Sequence, residues 1–195
     1  VMEKIKYFEE EIGYICDDSL KSDIVFLINK LPDYFFEIPA SSTGKYHPAY
    51  AISKGGLLKH TKVATKIAKV LLDNETIGMN FSSREKDLII MALIIHDGLK
   101  KGVCEEKYTV FEHPLLVSRL ITENKDYLRM DEDDIKTLCD IIESHMGNWN
   151  VNPVTKMEVL PKPDNKLAKF VHMCDYLSSR KFLNVSFDDN FNIVE

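Results

Sequence analysis

Apolar and polar positions along the chain divide it into helical stretches separated by polar or Pro/Gly-rich breaks. Residues 2–13 and about 19–31 read as two helices with a polar break at Asp17-Asp18-Ser19, the second amphipathic through Leu20, Ile24, Leu27 and Ile28. Pro32 ends the second. Residues 32–55, with Pro39, Ser41-Ser42-Thr43-Gly44, Pro48 and Gly55-Gly56, read as an irregular connection, of a length that is usually functional or mobile. Gly56 opens a helix to about Leu72 whose apolar face runs Leu57, Ala64, Ile67, Ala68 and Leu71. The run Leu88 to Ile95 has no polar face at any period, so it should be buried on all sides, and Ser82 to Glu85 reads as the capping box that starts it. A loop at 98–110 leads to a helix from Leu115 to Thr122, with Pro114 in its first turn. Asp131 to Asp134 caps a helix through about Met146. After a loop at 148–163, Asp164-Asn165 starts the last helix, and alternation of Val185, Phe187, Phe191 and Ile193 allows a short hairpin.

The pattern predicts an all-α bundle in which polar groups break the apolar faces. His60 falls on the inward stripe of its helix, one turn from Leu57 and Ala64. His96 and Asp97 end the buried run, His113 sits at a helix start, His145 closes the helix before Gly147, and Asp175 lies beside the stripe Leu167, Phe170, Val171, Cys174 with Ser178. One such histidine is ordinarily a hydrogen-bonded core residue, but this many coincident cases call for a shared partner, and a cation is the simplest. Imidazole and carboxylate donors suit Mn, Fe, Co, Ni or Zn better than Mg or Ca. Six side chains exceed the needs of one catalytic metal, whereas two metals sharing a carboxylate would use them all.

Composition narrows the field. At 195 residues, 45% apolar and 29% charged, the chain reads as a single domain over 1–195 with an ordinary core, and its default compartment is the cytoplasm, since no apolar run spans a bilayer or forms a signal-peptide core. Cys16, Cys104, Cys139 and Cys174 lie far apart, which argues against a thiolate zinc site and leaves them as core residues or free thiols. The net charge of −6 disfavours duplex nucleic acid as a partner. Against it stands an acid-free stretch from Ile38 to Leu72 carrying Lys45, Lys54, Lys59, Lys62, Lys66 and Lys69, either a solvated face or an attractor of an anionic substrate. Gly44-Lys45 is not a P-loop, because Pro39 and Tyr46 stand where that motif needs Gly and Ser or Thr.

The ordered set His60, His96-Asp97, His113, His145 and Asp175 resembles the HD-domain superfamily of metal-dependent phosphohydrolases. Gly-Gly-Leu-Leu-Lys-His-Thr at 55–61 is similar to that family's opening motif, and His96-Asp97-Gly98-Leu99-Lys100 to its HD-x-G-K, with Leu99 where Gly is frequent. The resemblance spans 45–181 as a catalytic core and leaves 1–44 as flanking helices and loop. It implies one metal on His60, His96, Asp97 and Asp175, and a second on bridging Asp97 with His113 and His145. It also implies Lys100 on a substrate phosphate, and His47 as a phosphate ligand or acid. Lys45 and Arg180 are further candidates to bind the anionic ligand. His172 reads as a half-buried structural histidine, while Trp149 with Asn148 either walls a base pocket or packs in the core.

The expected activity is hydrolysis of a phosphoester or phosphoanhydride in a nucleotide or (oligo/di)nucleotide by metal-activated water. An HD-fold di-iron oxygenase and a non-catalytic nucleotide-binding regulatory module are the alternatives. The expected partner is a small phosphorylated molecule, with no membrane, and a homo-oligomer is left open.

Overall fold

A computed structural model describes residues 3–41, 44–45 and 47–194; Val1, Met2, Ser42, Thr43, Tyr46 and Glu195, including their share of the predicted 2–13 helix and 32–55 connection, lie outside the described residues. Among the described residues the chain forms eight α-helices and one small sheet: α1 Glu9–Gly13, α2 Asp18–Lys30, α3 Gly56–Asp73, α4 Glu75–Gly78, α5 Ser83–Ile95, α6 His113–Glu123, α7 Glu132–Glu143 and α8 Lys166–Ser178, then β1 Ser186–Phe187 and β2 Ile193–Val194. The strands pair antiparallel, Ser186 opposite Val194 and Phe187 opposite Ile193, as the tail's alternation predicts.

Helix α5 is the axis of the bundle. Its residues from Leu88 to Ile95 are each 3% exposed or less, because α2, α3, α7 and α8 pack around it. The capping box that starts it is present in full, Ser82 Oγ accepting from the Glu85 N–H and Glu85 returning to the Ser82 N–H. Side-chain caps also start α2 (Asp17), α7 (Asp131) and α8 (Asn165). None of the described helices is long and apolar enough to cross a membrane.

The structure adds detail to three expectations. The N-terminal helices pack into the common core, where Phe8, Leu20, Leu27 and Ile28 are fully buried, and the first segment opens with a tight 3-10 turn, Lys4–Phe8. The described part of the 32–55 connection is held in place. It carries 3-10 turns at Asp33–Phe36 and Ala49–Ala51 whose tyrosines clamp it, Tyr34 donating to the Gly102 carbonyl at 2.6 Å and Tyr50 to the Ser178 carbonyl at 2.6 Å. Burial raises both phenols, Tyr34 to about 12. Finally, α7 stops at Glu143 rather than Met146. Ser144 turns its hydroxyl onto the Asp140 carbonyl at 2.7 Å, and Gly147 follows in the left-handed region at φ +61°, so His145 is carried by a turn.

Candidate metal centre

Five elements deliver the ligand set to one place. Helix α3 carries His60, the turn after α5 carries His96 and Asp97, the first residue of α6 is His113, the turn after α7 carries His145, and α8 carries Asp175. All four histidines and Asp97 are at most 2% exposed.

Asp97 is the hub. Its Oδ2 faces His60 Nε2 at 3.8 Å and His96 Nε2 at 3.6 Å, while its Oδ1 faces His113 Nε2 at 2.9 Å and His145 Nε2 at 3.6 Å. Asp175 Oδ1 completes the first half, 2.9 Å from His60 Nε2 and 3.4 Å from His96 Nε2. Two groups place one candidate ligand atom from each of three residues within 4.8 Å of one another, His60, His96 and Asp175, and His96, Asp97 and His145, so His96 belongs to both.

The rings are aimed by their other nitrogens. Nδ1 of His96, His113 and His145 lies 2.8, 2.8 and 2.7 Å from the carbonyl three residues earlier, of Leu93, Val110 and Ile142. A carbonyl only accepts, so in the neutral ring Nδ1 carries the hydrogen and Nε2 presents a lone pair. His60 reaches the same state through a side chain. Ser178 Oγ donates to the Asp175 carbonyl at 2.7 Å, which leaves it to accept from His60 Nδ1 at 3.0 Å.

Imidazole lone pairs aimed at carboxylate oxygens repel unless positive charge lies between them. The structure shows the corresponding orphans: His96 Nε2, His113 Nε2 and Asp97 Oδ1 are buried without a hydrogen-bond partner, although two of them are only 2.9 Å apart. This donor set, its rings already oriented by their other nitrogens, is one that can hold a metal ion. Burial alone would raise the Asp97 carboxyl, but Lys100, His96 and the other facing imidazoles outweigh it and hold it well below the usual carboxylate range. Asp175 is held down in the same way by His60 and His96. Burial lowers His113 and would lower His96, but Asp97 and Asp175 reverse the latter and raise it.

A cavity of about 230 Å³ opens on this cluster. His60, Asp97, His145 and Asp175 of the cluster line it together with His47, Lys100, Met146, Trp149, His172, Tyr176, Ser179 and Arg180. Lys100 donates to Asp97 Oδ2. His47 stands with its ring 5.7 Å from that of His60, its Nδ1 without a hydrogen-bond partner; burial, with His60 and Lys100 nearby, lowers it to about 4, so it is neutral near pH 7. The four cysteines are free thiols, Cys139 and Cys174 in the core.

None of the lysines of the acid-free stretch lines this cavity. Lys62 is buried against Glu11 Oε2 at 2.8 Å and the Tyr7 carbonyl at 2.7 Å, Lys66 faces Glu10, Lys69 binds Asp73, and Lys59 lies over Phe187 and Phe191. Lys45 is exposed and outside the cavity wall, so the structure does not bring it to the site, whereas Arg180 does line it. Trp149 is not core: it is 57% exposed, its ring near-parallel to that of Tyr176, and Asn148 is exposed away from the wall. His172 is half-buried as expected, its Nδ1 on the His145 carbonyl at 2.7 Å, yet it also lines the cavity. Sequence reasoning missed Met146, Tyr176 and Ser179 in the wall. Their one available signal was position, next to His145, Asp175 and Arg180.

Compared with protein-family models, with curated proteins and with solved structures, the chain matches none.

Proposed function

We propose that this chain is a metal-dependent phosphohydrolase of the HD type, acting on a phosphoester or phosphoanhydride of a nucleotide. The observation that carries the reading is the division of Asp97, one oxygen toward His60 and His96 and the other toward His113 and His145. In this reading His60, His96, Asp97 and Asp175 hold one cation, and Asp97, His113 and His145 hold a second. When bound, such a pair lowers the pKa of water and stabilises negative charge on phosphoryl oxygens.

The chain's own residues supply binding and positioning. Lys100, in the cavity wall beside Asp97, offers an ammonium to a phosphoryl oxygen, and Arg180 adds a second positive group on the same wall. His47, neutral near pH 7, serves as a hydrogen-bonding partner of the phosphate rather than as an acid. Water oxygen bonds to phosphorus as the P–O bond to the leaving group breaks, one water proton ends on the departing oxygen by way of solvent, and Lys100 and Arg180 hold the charge that develops.

Elemental analysis of the purified chain beside His113→Ala/His145→Ala tests the reading. About two transition-metal ions per chain falling to about one, with Mn- or Fe-dependent release of phosphate or nucleoside from nucleotides, is the expected result. No retained metal after reconstitution would overturn it.

A further inference from the structure

The cavity above the ligand cluster is smaller than the roughly 300–1,000 Å³ typical of sites that enclose a small organic ligand. It has room for a phosphoryl group and what adjoins it, and a larger substrate extends along the exposed part of its wall, which is aromatic. Trp149 is 57% exposed and Tyr176 38% exposed, with ring centroids 6.2 Å apart and planes 21° from parallel.

We infer that Trp149, backed by Tyr176, forms a stacking subsite for the aromatic base of the phosphorylated substrate and is its specificity-determining residue. The inference rests on the phosphohydrolase reading for the position of the phosphate. Three observations support it. Both rings sit on the same backbone as ligands: Tyr176 follows Asp175 directly, and the Trp149 N–H closes a turn onto the Met146 carbonyl at 3.1 Å, just after His145. The backing of the shelf is closely packed. Arg180 Cζ lies 4.1 Å from the Tyr176 ring centroid, pinned by Nε to the Tyr176 carbonyl at 3.1 Å, and Gly147 fits against His172 so closely that a Cβ would fall 2.2 Å from its ring. Finally, 6.2 Å is less than the roughly 7–8 Å that a ring inserted between two others needs, so the incoming ring lies over the open face of Trp149. Stacking reads the π-face that all bases share, so the subsite separates nucleotides from aliphatic phosphoesters while tolerating any base.

Trp149 is the single tryptophan of the chain, so its fluorescence reports occupancy of the shelf directly. The full chain as purified is titrated with AMP, CMP and ribose 5-phosphate, with affinities measured in parallel by calorimetry. Saturable quenching by both nucleotides and not by ribose 5-phosphate is expected, with the nucleotides about 5- to 150-fold tighter. Trp149→Ala should bring that ratio close to one, and Trp149→Phe should keep most of it. Equal affinities, absence of quenching, or an unchanged ratio in Trp149→Ala would overturn the subsite. Its failure is separable from that of the parent reading. Metal-dependent hydrolysis of nucleotides and ribose 5-phosphate with equal kcat/KM removes the shelf alone, whereas quenching and the affinity ratio without any hydrolysis remove the phosphohydrolase reading alone.

Discussion

Ser178→Ala is the most incisive perturbation of the centre, because it touches no proposed ligand atom and removes the hydroxyl that aims His60. Ser178 is fully buried, and its hydroxyl is committed as a donor to the Asp175 carbonyl at 2.7 Å, so it accepts from His60 Nδ1 at 3.0 Å. Without it His60 Nδ1 is a buried donor with no partner, at a cost to folding of about 1–3 kcal/mol. The ring is then free to rotate or to exchange tautomers, and its Nε2 no longer points at Asp175 by default. Loss of such an orienting partner typically lowers metal affinity 10–100-fold, the range expected here. Competition against a chromogenic chelator reads the affinity, and urea denaturation of the metal-free chain reads the folding cost. Ser178→Thr, which keeps a hydroxyl on the same carbon, should recover most of the affinity. If Ser178→Ala folds and binds metal within about twofold of the parent, His60 is not oriented by this hydroxyl and the second-shell argument fails.

Two further predictions follow from buried charge. Lys62→Met strands the Glu11 carboxylate in the core, both groups being at most 1% exposed, and should cost about 3–5 kcal/mol in urea denaturation, while Lys62→Met with Glu11→Leu restores most of the loss; a single variant as stable as the parent would refute a buried pair here. His47, lowered to about 4 from its ordinary 6.5, takes up a proton in the unfolded chain before it does so in the fold. Stability of the metal-free chain should therefore fall as pH drops from 6.5 to 4, and His47→Gln should flatten urea midpoints across that window; parallel pH profiles for the two chains would count against it.

How much of this was legible in the sequence depends on the range of the interaction. Leu88 to Ile95 declares its burial without reference to anything else, and the Ser82 to Glu85 cap is local, so α5 could be placed from composition alone. His60 could be placed because its neighbours at helical spacing are apolar. Lys62, two positions on, could not, because its partner Glu11 lies 51 residues away, and a lysine read by itself belongs to a solvated face. The end of α7 was misplaced for a similar reason. Leu138, Ile142 and His145 share a stripe, but Ser144 competes for the Asp140 carbonyl and breaks the helix between them. Trp149 reads equally well as core or wall, and only the packing of α8 beside its turn decides the matter.

The way the rings are aimed also bears on how the sequence can drift. His96, His113 and His145 each take their orientation from a carbonyl three residues back, and every residue type supplies a carbonyl. Leu93, Val110 and Ile142 can therefore be exchanged for other side chains of suitable bulk without turning a ligand, and the spelling around each histidine is left nearly unconstrained. His60 is the exception, because its guide is a hydroxyl on another helix. Substitutions accumulating around the centre would thus be silent at three of its four imidazoles, and would register at the fourth through position 178.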